Sequence, residues 1–250
     1  HTFFVPAKTH NFRWAGHSCN GFSASIDESS WNGPNPLWDD LLKAHATKPY
    51  HAVIGGGDQI YCDKLVREPE MQQWNNQSDS KKRMAMPLTD AIRTCIDRYM
   101  FNHYCEWFGG GSFAKTIAQV PMINMLDDHD LIDGFGTYDD QLMRAAVFNH
   151  VGARGYFFFL LFQLFINDEV DGTSEASHSN RSILFGGDGV YIPFRNHSRL
   201  SYLGPKQWIL LADCRSERKI DQICSKGTYQ RLFDAVRKLP LGVEHLIVLL

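Results

Sequence analysis

The sequence predicts an α/β fold, because short apolar runs alternate with longer segments that have helical periodicity. The apolar runs are four to eight residues long and are bounded by glycines and acidic residues, which is typical of buried strands in a parallel sheet. The segments between them are long enough to form helices that cover the faces of a sheet. With 250 residues and 44% hydrophobic content, the chain can bury a large core, and residues 1–250 are most simply one domain.

The first half of the chain is predicted to contain three strands and two helices. They are a strand and loop over 11–19, a helix over 36–46 with Pro36 near its start, a strand over 51–55, a helix over 89–108 that ends at the glycines 109–111, and a strand over 120–126. Segment 71–82 is rich in Gln, Asn and Ser, and we expect it to be a surface loop.

The second half of the chain continues the alternation of helices and strands. A helix is predicted over 140–165, with a break at Gly152 or Gly155. A buried strand over 207–212, a helix over about 227–238 and a second buried strand over 245–250 follow. Segment 167–182 is acidic and rich in serine, so we expect a second surface loop there.

Composition argues against several classes of protein. Lys and Arg total 25 against 28 for Asp and Glu, so the sequence lacks the excess of basic residues expected of a protein that binds nucleic acid or an anionic membrane. The longest apolar run, 156–166, is far shorter than the roughly 20 residues of a spanning helix. The cysteines form no C-x-x-C pair, which favours a reducing, cytoplasmic compartment over secretion. Because the chain starts at His1, an upstream targeting segment remains open.

Two acidic clusters follow two of the predicted strands. Segment 56–61 reads Gly-Gly-Asp-Gln-Ile-Tyr, and segment 127–130 reads Asp-Asp-His-Asp. Parallel strands deliver such residues to the same edge of a sheet, where ligands bind in open α/β folds. A Gly-Asp pair alone is commonly a structural turn. Carboxylates crowded together repel one another unless a cation neutralises them, so the two clusters together indicate a metal site.

Four ordered motifs resemble those of the calcineurin-like metallophosphatases, in the version found in PhoD-like phosphatases and phosphodiesterases. The motifs are Ser18-Cys19-Asn20, Gly57-Asp58-Gln59-Ile60-Tyr61, Asp127-Asp128-His129-Asp130 and Asp213-Cys214-Arg215. The resemblance runs from about residue 10 to the C-terminus. It implies a layered sandwich of mixed β-sheets flanked by helices, and metal-dependent hydrolysis of small-molecule phosphomonoesters or phosphodiesters by a metal-activated water.

The resemblance also implies a set of metal ligands for two metal ions. Asp58 matches the aspartate that bridges both ions, and Asp128 is a second ligand. Tyr61 is either a phenolate ligand or a buried ring with a hydrogen-bonded hydroxyl. Cys19 on sequence alone is a small buried hydrophobe, whereas the resemblance makes it a thiolate ligand. A thiolate favours iron or zinc, with calcium or another divalent ion beside it.

The catalytic residues implied by the resemblance are His129, Asp130 and Arg215. His129 contacts phosphate and protonates the leaving oxygen, a role suited to its near-neutral pKa. Asp130 orients the histidine. Arg215 either binds phosphate in bidentate fashion or forms a structural pair with Asp213. Asp127 is either a partner that supports a ligand or a cap.

Three other functions compete with the phosphoesterase. Segment 16–20 is close to the serine-esterase elbow G-x-S-x-G, but Asn20 replaces the final glycine. The glycine runs 55–57 and 109–111 lack the G-K-[ST] of a P-loop. The remaining alternative is a non-catalytic metallophosphatase-like module that binds a partner or phosphate.

The ends of the chain suggest a fragment truncated at both ends. It closes on an apolar strand at 244–250, whose edge would be bare without more chain. The resemblance implies further ligands beyond Leu250, so we expect the isolated chain to bind at most one metal tightly and to have little activity. If it instead binds two, then His17, His197 or His245 would complete the site.

Overall fold

The computed structural model describes residues 2–23, 25–167, 185–204 and 206–250, and the strands in these segments form two three-stranded sheets. The first sheet has the order β1-β2-β3 and is entirely parallel, with β1 at Trp14–His17, β2 at Ala52–Gly55 and β3 at Met122–Asn124. The central strand β2 is buried along its whole length, which explains its continuous apolar sequence.

The second sheet has the order β4-β5-β6 and is mixed. It contains β4 at Arg199–Gly204, β5 at Gln207–Leu211 and β6 at His245–Leu249; β5 pairs antiparallel with β4 and parallel with β6. Strand β4 was not predicted from the sequence. Its only buried positions are the arginine and glycine at its two ends, so it has neither an apolar run nor a clean alternation.

Eight α-helices occur in the described residues, and together with the sheets they confirm the predicted α/β fold class. They are α1 Pro36–Thr47, α2 Gln72–Asn75, α3 Ser80–Met84, α4 Asp90–Gly109, α5 Gly111–Ile117, α6 Asp140–Met143, α7 Ala146–Gln163 and α8 Lys226–Arg237. None of the helices in the described part of the chain is long and apolar enough to cross a bilayer.

The predicted surface loop at 71–82 is wrong in part. Helix α2 and the start of α3 lie in this segment, and Met71 and Trp74 are buried in the core. The Trp74 ring stacks on Phe148 of α7, with centroids 6.4 Å apart. Two buried apolar side chains are enough to attach this polar segment to the core, although two residues produce no periodic pattern in the sequence.

The predicted break in the helix at 140–165 lies elsewhere. Helices α6 and α7 are separated at Arg144 and Ala145, whereas both glycines are inside α7. A Cβ at Gly152 would lie 2.0 Å from the Phe135 ring, and one at Gly155 would lie 2.8 Å from the Leu131 backbone. These glycines therefore let the segment after the acidic cluster pack directly on α7. The loop predicted at 167–182 lies, from residue 168 onward, outside the described residues.

The main hydrophobic cluster contains residues from both sheets and from the two long helices. Ile54 of β2 and Ile209 of β5 belong to it, together with Tyr104 of α4 and Phe159 of α7. At the sheet boundary, the buried Arg199 donates a hydrogen bond to the backbone carbonyl of Asn124, at 2.7 Å. This contact connects the first residue of β4 to the last residue of β3, beside the loop that carries the acidic cluster.

Candidate metal centre

Backbone contacts hold together the three loops that follow β1, β2 and β3. The amide of Cys19 donates to the carbonyl of Gly57 at 3.1 Å, and the amide of Asn20 donates to the carbonyl of Asp58 at 2.8 Å. Gly57 has a φ of +113°, and a Cβ there would lie 2.4 Å from the Cβ of Asp127. Glycine is therefore required at this position both for its backbone conformation and for the close approach of the third loop.

Two non-glycine residues of these loops have left-handed backbones. Cys19 has a φ of 56° and Asp58 a φ of 53°. Such conformations are uncommon outside glycine and cluster at functional sites, where the surrounding structure enforces them. Here the paired loop backbones enforce them, and the two side chains meet: the thiol of Cys19 lies 3.4 Å from Oδ2 of Asp58.

The side chains of Asp58, Asp128 and His129 have the geometry of a metal-binding group. One ligand atom from each lies within 4.8 Å of those of the other two. Burial and then the charge of Asp127 raise the pKa of Asp58, so the ionised form is disfavoured without a cation. In the described structure its oxygens accept a weak hydrogen bond from the Cys19 thiol at 3.4 Å and a long one from the His129 amide at 3.3 Å. This buried, weakly satisfied carboxylate fits a metal ligand.

Tyr61 lies against the same group. Its ring centroid is 4.7 Å from that of His129, and it is partly buried. Burial, followed by the charges of Cys19 and Asp58, raises the pKa of the Tyr61 hydroxyl. Without a neighbouring cation the hydroxyl is thus protonated at neutral pH. Tyr61 is therefore a phenolate ligand only if an ion is bound beside it, and otherwise a ring with a protonated hydroxyl.

The acid hydrogen-bonded to the His129 ring is Asp63, and not Asp130 as the resemblance implied, while Oδ1 of Asp133 lies 3.8 Å from Nε2. Nδ1 of His129 lies 2.6 Å from Oδ2 of Asp63, whose other oxygen accepts the amide of Asp133 at 2.8 Å. Burial alone would lower the pKa of His129, but the hydrogen bond and charge of Asp63 raise it. Sequence analysis missed Asp63; the only signal was its place two residues after Tyr61.

Asp130 is fully buried beneath the loops and supports their backbones. Its Oδ2 accepts the amides of Asp58 at 2.7 Å and Asp127 at 2.9 Å, and its Oδ1 accepts Nε2 of Gln163 at 3.1 Å. Burial raises its pKa to about 7 against the effect of these donors. Gln59 joins the same network by donating to Gln163 at 3.0 Å. The carboxylate therefore holds the second and third loops in one arrangement.

Arg215 crosses from the second sheet to the acidic cluster. Its guanidinium is nearly buried and pairs with Asp127, with Oδ1 of Asp128 at 3.1 Å, and with the carbonyl of Phe135 at 3.1 Å. The pairing with Asp213 is made by the Arg215 backbone amide alone, at 2.9 Å. Neither sequence interpretation anticipated this arrangement, in which Arg215 holds the two aspartates of the third loop.

Asp127, which the sequence left as either a supporting partner or a cap, and Asn20 of the first motif both have structural contacts. Asp127 is both a cap of the short 3₁₀ turn at Asp128–Asp130 and the partner of Arg215. Oδ1 of Asn20 accepts Nε1 of Trp38 at 2.7 Å, and its amide donates to the carbonyl of Gln59 at 3.2 Å. Asn20 thus closes the first loop onto α1 and the second loop.

The histidines considered as further ligands lie outside this group. The rings of His17 and Trp38 are 4.8 Å apart, and burial lowers the pKa of His17 to about 4. Nδ1 of His197 lies 3.0 Å from the Tyr156 hydroxyl, which donates to Asp213. His245 is exposed at the start of β6. The metal-binding group at the ends of the first sheet's strands is therefore Asp58, Asp128 and His129, with the Cys19 thiol beside it. A second group with ligand spacing, Glu68, Glu70 and Cys95, has both of its carboxylates paired with Arg98.

Comparison with known families identifies the family of the chain. A family model described as PhoD related phosphatase matches residues 1–250. The chain belongs to the PhoD-related phosphatase family, as the motifs predicted.

Among relatives, the uncharacterized protein YGR266W of Saccharomyces cerevisiae is 36% identical over 268 residues, which cover 99% of this chain and 38% of that protein. A solved structure titled "Structure of PhoD" matches with 15% identity and a TM-score of 0.49, covering 94% of this chain and 41% of that one. The chain therefore spans well under half the length of the proteins it matches.

Proposed function

We propose that the protein containing this chain hydrolyses phosphomonoesters or phosphodiesters with the help of bound metal ions. The observation that carries the proposal is the convergence of Cys19, Asp58, Asp128 and His129 from three separate loops. Membership of a phosphatase family supports the same reaction class. The buried and weakly satisfied Asp58 carboxylate is the feature that a structural turn would not need.

The residues that would hold the metal ions are Cys19, Asp58, Tyr61 and Asp128. A thiolate, carboxylates and a phenolate suit iron or zinc, and the carboxylates also suit calcium or another divalent ion. When bound, the ions supply positive charge that neutralises a phosphate and makes a water molecule more acidic.

The protein's own residues then have separate tasks. Asp63 holds Nδ1 of His129, and Nε2, which lies 3.8 Å from Oδ1 of the exposed Asp133, is the ring nitrogen for the oxygen of the leaving group. His129 is the proton donor to that oxygen. Arg215 is a positioning residue that holds Asp128 at Oδ1, while the amide of Gly134 donates to Oδ2 at 2.6 Å. Asp130 keeps the loop backbones of Asp58 and Asp127 in place.

One observation favours the alternative of a module that binds phosphate or a partner without turnover. Both oxygens of Asp128 already accept protein hydrogen bonds, from Arg215 and from Gly134. A metal at Asp128 must share the carboxylate with these donors. Measuring turnover distinguishes the phosphoesterase from the binding module. Measuring phosphate or metal binding does not, because both would bind them.

Metal removal tests the proposed function. The natural full-length protein is treated with a chelator, and hydrolysis of 4-nitrophenyl phosphate and bis(4-nitrophenyl) phosphate is measured before and after iron, zinc and calcium are restored. We expect activity to disappear and to return with metal. Asp58→Asn should lower both metal content and kcat/KM by about 10- to 100-fold or more, whereas the exposed Asp221→Asn control should change neither.

Undiminished activity after exhaustive metal removal would contradict a metal-dependent reaction. Tight metal and phosphate binding without hydrolysis of either ester would instead establish the non-catalytic module.

A further inference from the structure

A recess of about 860 Å³ lies at the opposite edge of the first sheet from the candidate metal centre. Arg13 and His51 line it and immediately precede β1 and β2, whereas Cys19 and Asp58 follow the same two strands. The strands are parallel, and the four residues of each span about 13 Å. The recess is therefore separated from the metal centre by the length of the strands. Its wall is formed by residues 4–5, 9–14, 48–49 and 51.

The titratable side chains in the wall of this recess are all basic. They are those of His10, Arg13, Lys48 and His51, and the wall contains neither Asp nor Glu. Among the residues that the structure describes, neither Arg13 nor Lys48 forms an ion pair. Burial lowers the pKa of His51, and the charges of His10 and Arg13 lower it further. The recess therefore has a positive potential that no carboxylate in its wall offsets.

Arg13 and His51 hold each other in place. The amide of Arg13 donates to Nδ1 of His51 at 2.8 Å, and the amide of His51 donates to the carbonyl of Arg13 at 2.7 Å. The Arg13 guanidinium lies over the Tyr50 ring, 4.3 Å from its centroid, and the His51 ring stacks on Phe12 with centroids 5.5 Å apart. Both side chains are thus positioned before a ligand binds, which reduces the entropy lost on binding.

These contacts leave hydrogen-bond donors of both side chains free and accessible. Because Nδ1 of His51 accepts a hydrogen bond, the proton of the neutral ring is on Nε2. Within the described part of the chain, Nε2 of His51 and the guanidinium nitrogens of Arg13 have no acceptor, and none of them is shielded from solvent. A guanidinium, a ring N–H and the exposed ammonium of Lys48 together form a donor set that suits phosphate oxygens.

We propose that this recess binds the phosphate group of a soluble phosphorylated molecule, and that it is an anion site separate from the metal centre. The phosphate oxygens accept from Arg13 and from Nε2 of His51, and Lys48 supplies a second positive charge. The exposed rings of Phe4 and Trp14 line the same recess and are available to the organic part of the ligand. The inference does not depend on the proposed function, because no residue of the metal-binding group takes part.

The first experiment measures binding of methylenebisphosphonate, which resists hydrolysis, to the natural full-length protein by titration calorimetry. Asp58→Asn impairs the metal centre, and we expect one binding event to remain in that variant. Adding Arg13→Gln and Lys48→Gln should weaken this event by at least about 10-fold. Adding Lys81→Gln and Lys82→Gln instead removes the same charge from exposed positions of α3 and should leave the affinity unchanged.

The second experiment separates a soluble ligand from a lipid headgroup. The full-length protein is sedimented with phosphatidylcholine vesicles that contain phosphatidic acid. We expect it to stay in the supernatant, because the donors line a recess and not a flat face. Vesicle binding that requires Arg13 and Lys48, in a protein that does not bind the bisphosphonate, would overturn the proposal of a soluble ligand.

Two other results would overturn the inference. One is equal affinity in the two charge-matched variants; the other is the absence of any binding event in Asp58→Asn, which would place the anion at the metal centre. Lys48→Gln by itself, at an exposed position, keeps the test valid if Arg13→Gln disturbs folding, and should weaken binding by about 2- to 5-fold. None of these measurements requires turnover, so failure of the proposed function leaves them interpretable.

Discussion

At the scale of single residues, the candidate site depends on contacts between side chains that are distant in sequence. Asp63 and His129 are 66 residues apart, and Arg215 and Asp128 are 87 apart. Asp130, adjacent to His129 in the chain, turns instead into the core. The neighbour of a catalytic residue in sequence is thus not its neighbour in the site, and the predictions for single residues follow from the observed contacts.

Replacing Asp63 should impair the proton donor without unfolding the protein. Asp63→Asn keeps the shape of the side chain but removes the negative charge beside Nδ1 of His129. We expect kcat to fall by about 10- to 100-fold, as is typical when the partner of a functional histidine is changed. The melting temperature should change little, since Asp63 is partly exposed. An unchanged kcat in steady-state assays would reject the orienting role; Asp221→Asn is the matched control.

Gly57 offers a test of the packing between the second and third loops. Gly57→Ala adds a Cβ 2.4 Å from that of Asp127 at a φ of +113°, whereas Gly242→Ala adds one at a φ of +92° with no atom within 4 Å. Both variants bear backbone strain of about 1 kcal/mol or more, but only the first also displaces Asp127. Denaturant unfolding should therefore show a larger loss for Gly57→Ala, together with lost metal binding. Equal losses in the two variants would contradict this packing.

At the scale of elements, helices are positioned by a few specific contacts at their ends or faces. Helix α7 accepts the segment at 131–135 through its two glycines. The first turn of helix α8 is hydrogen-bonded to the buried side chain of Glu217. This carboxylate accepts the amide of Ser225 at 2.6 Å, the hydroxyl of Thr228 at 2.5 Å and the amide of Gly187 at 2.9 Å. These hydrogen bonds tie the start of α8 to the segment that precedes β4.

The stability supplied by Glu217 should depend on pH. Burial opposes ionisation, but hydrogen bonds from Thr228, Ser225 and Gly187 outweigh it and lower the pKa of Glu217 below 4.5. A depressed folded pKa means that the stabilisation is complete above about pH 4.5 and is lost as the pH falls through the folded value. Glu217→Gln should therefore lower the free energy of unfolding by about 1.5–3 kcal/mol at pH 7, and by less at pH 3.

Urea unfolding of Glu217→Gln at both pH values checks this expectation. Glu28→Gln, at an exposed position, is the control and should leave stability unchanged. A loss in Glu217→Gln that is the same at pH 7 and pH 3 would show that the carboxylate charge has no part in holding α8.

At the scale of the whole molecule, the two sheets meet beside the candidate site. Arg199 of β4 bonds to the carbonyl at the end of β3, and a Cβ at Gly56 would lie 3.5 Å from the Leu249 side chain of β6. The hydrophobic cluster that includes Ile54 and Ile209 continues between them. Residues of the second sheet thus support the loops of the first, and Arg215 reaches the aspartates from the same side.

Arg199 should be important for the contact between the sheets. Arg199→Met retains much of the side-chain volume but leaves the Asn124 carbonyl without its donor, which should cost about 1–3 kcal/mol of unfolding free energy. Arg237→Met, at a position whose side chain is 68% exposed, removes a surface ion pair and should cost at most about 1 kcal/mol. Chemical denaturation of both variants makes the comparison. Equal losses would indicate that the buried contact does not join the sheets.

Much of the fold could be predicted from the sequence. The central strands β2 and β5 and the helices α1, α4 and α8 have runs or periodicities that record their burial directly, and their observed bounds differ from the predicted ones by a few residues. Strand β4 and helix α2 could not be predicted, because their positions depend on partners far along the chain and not on their own pattern.

The sequence by itself determined the α/β class, the family and the residues of the motifs, because those signals are local and ordered along the chain. Only the tertiary structure decided that Asp63 rather than Asp130 contacts His129, that Arg215 holds Asp127 and Asp128, and that Arg13 and His51 meet at the opposite edge of the first sheet. The physical reason is that such pairings depend on distance in space: the identity of a side chain limits what it can bind, whereas the packing of loops and sheets selects which partner it reaches.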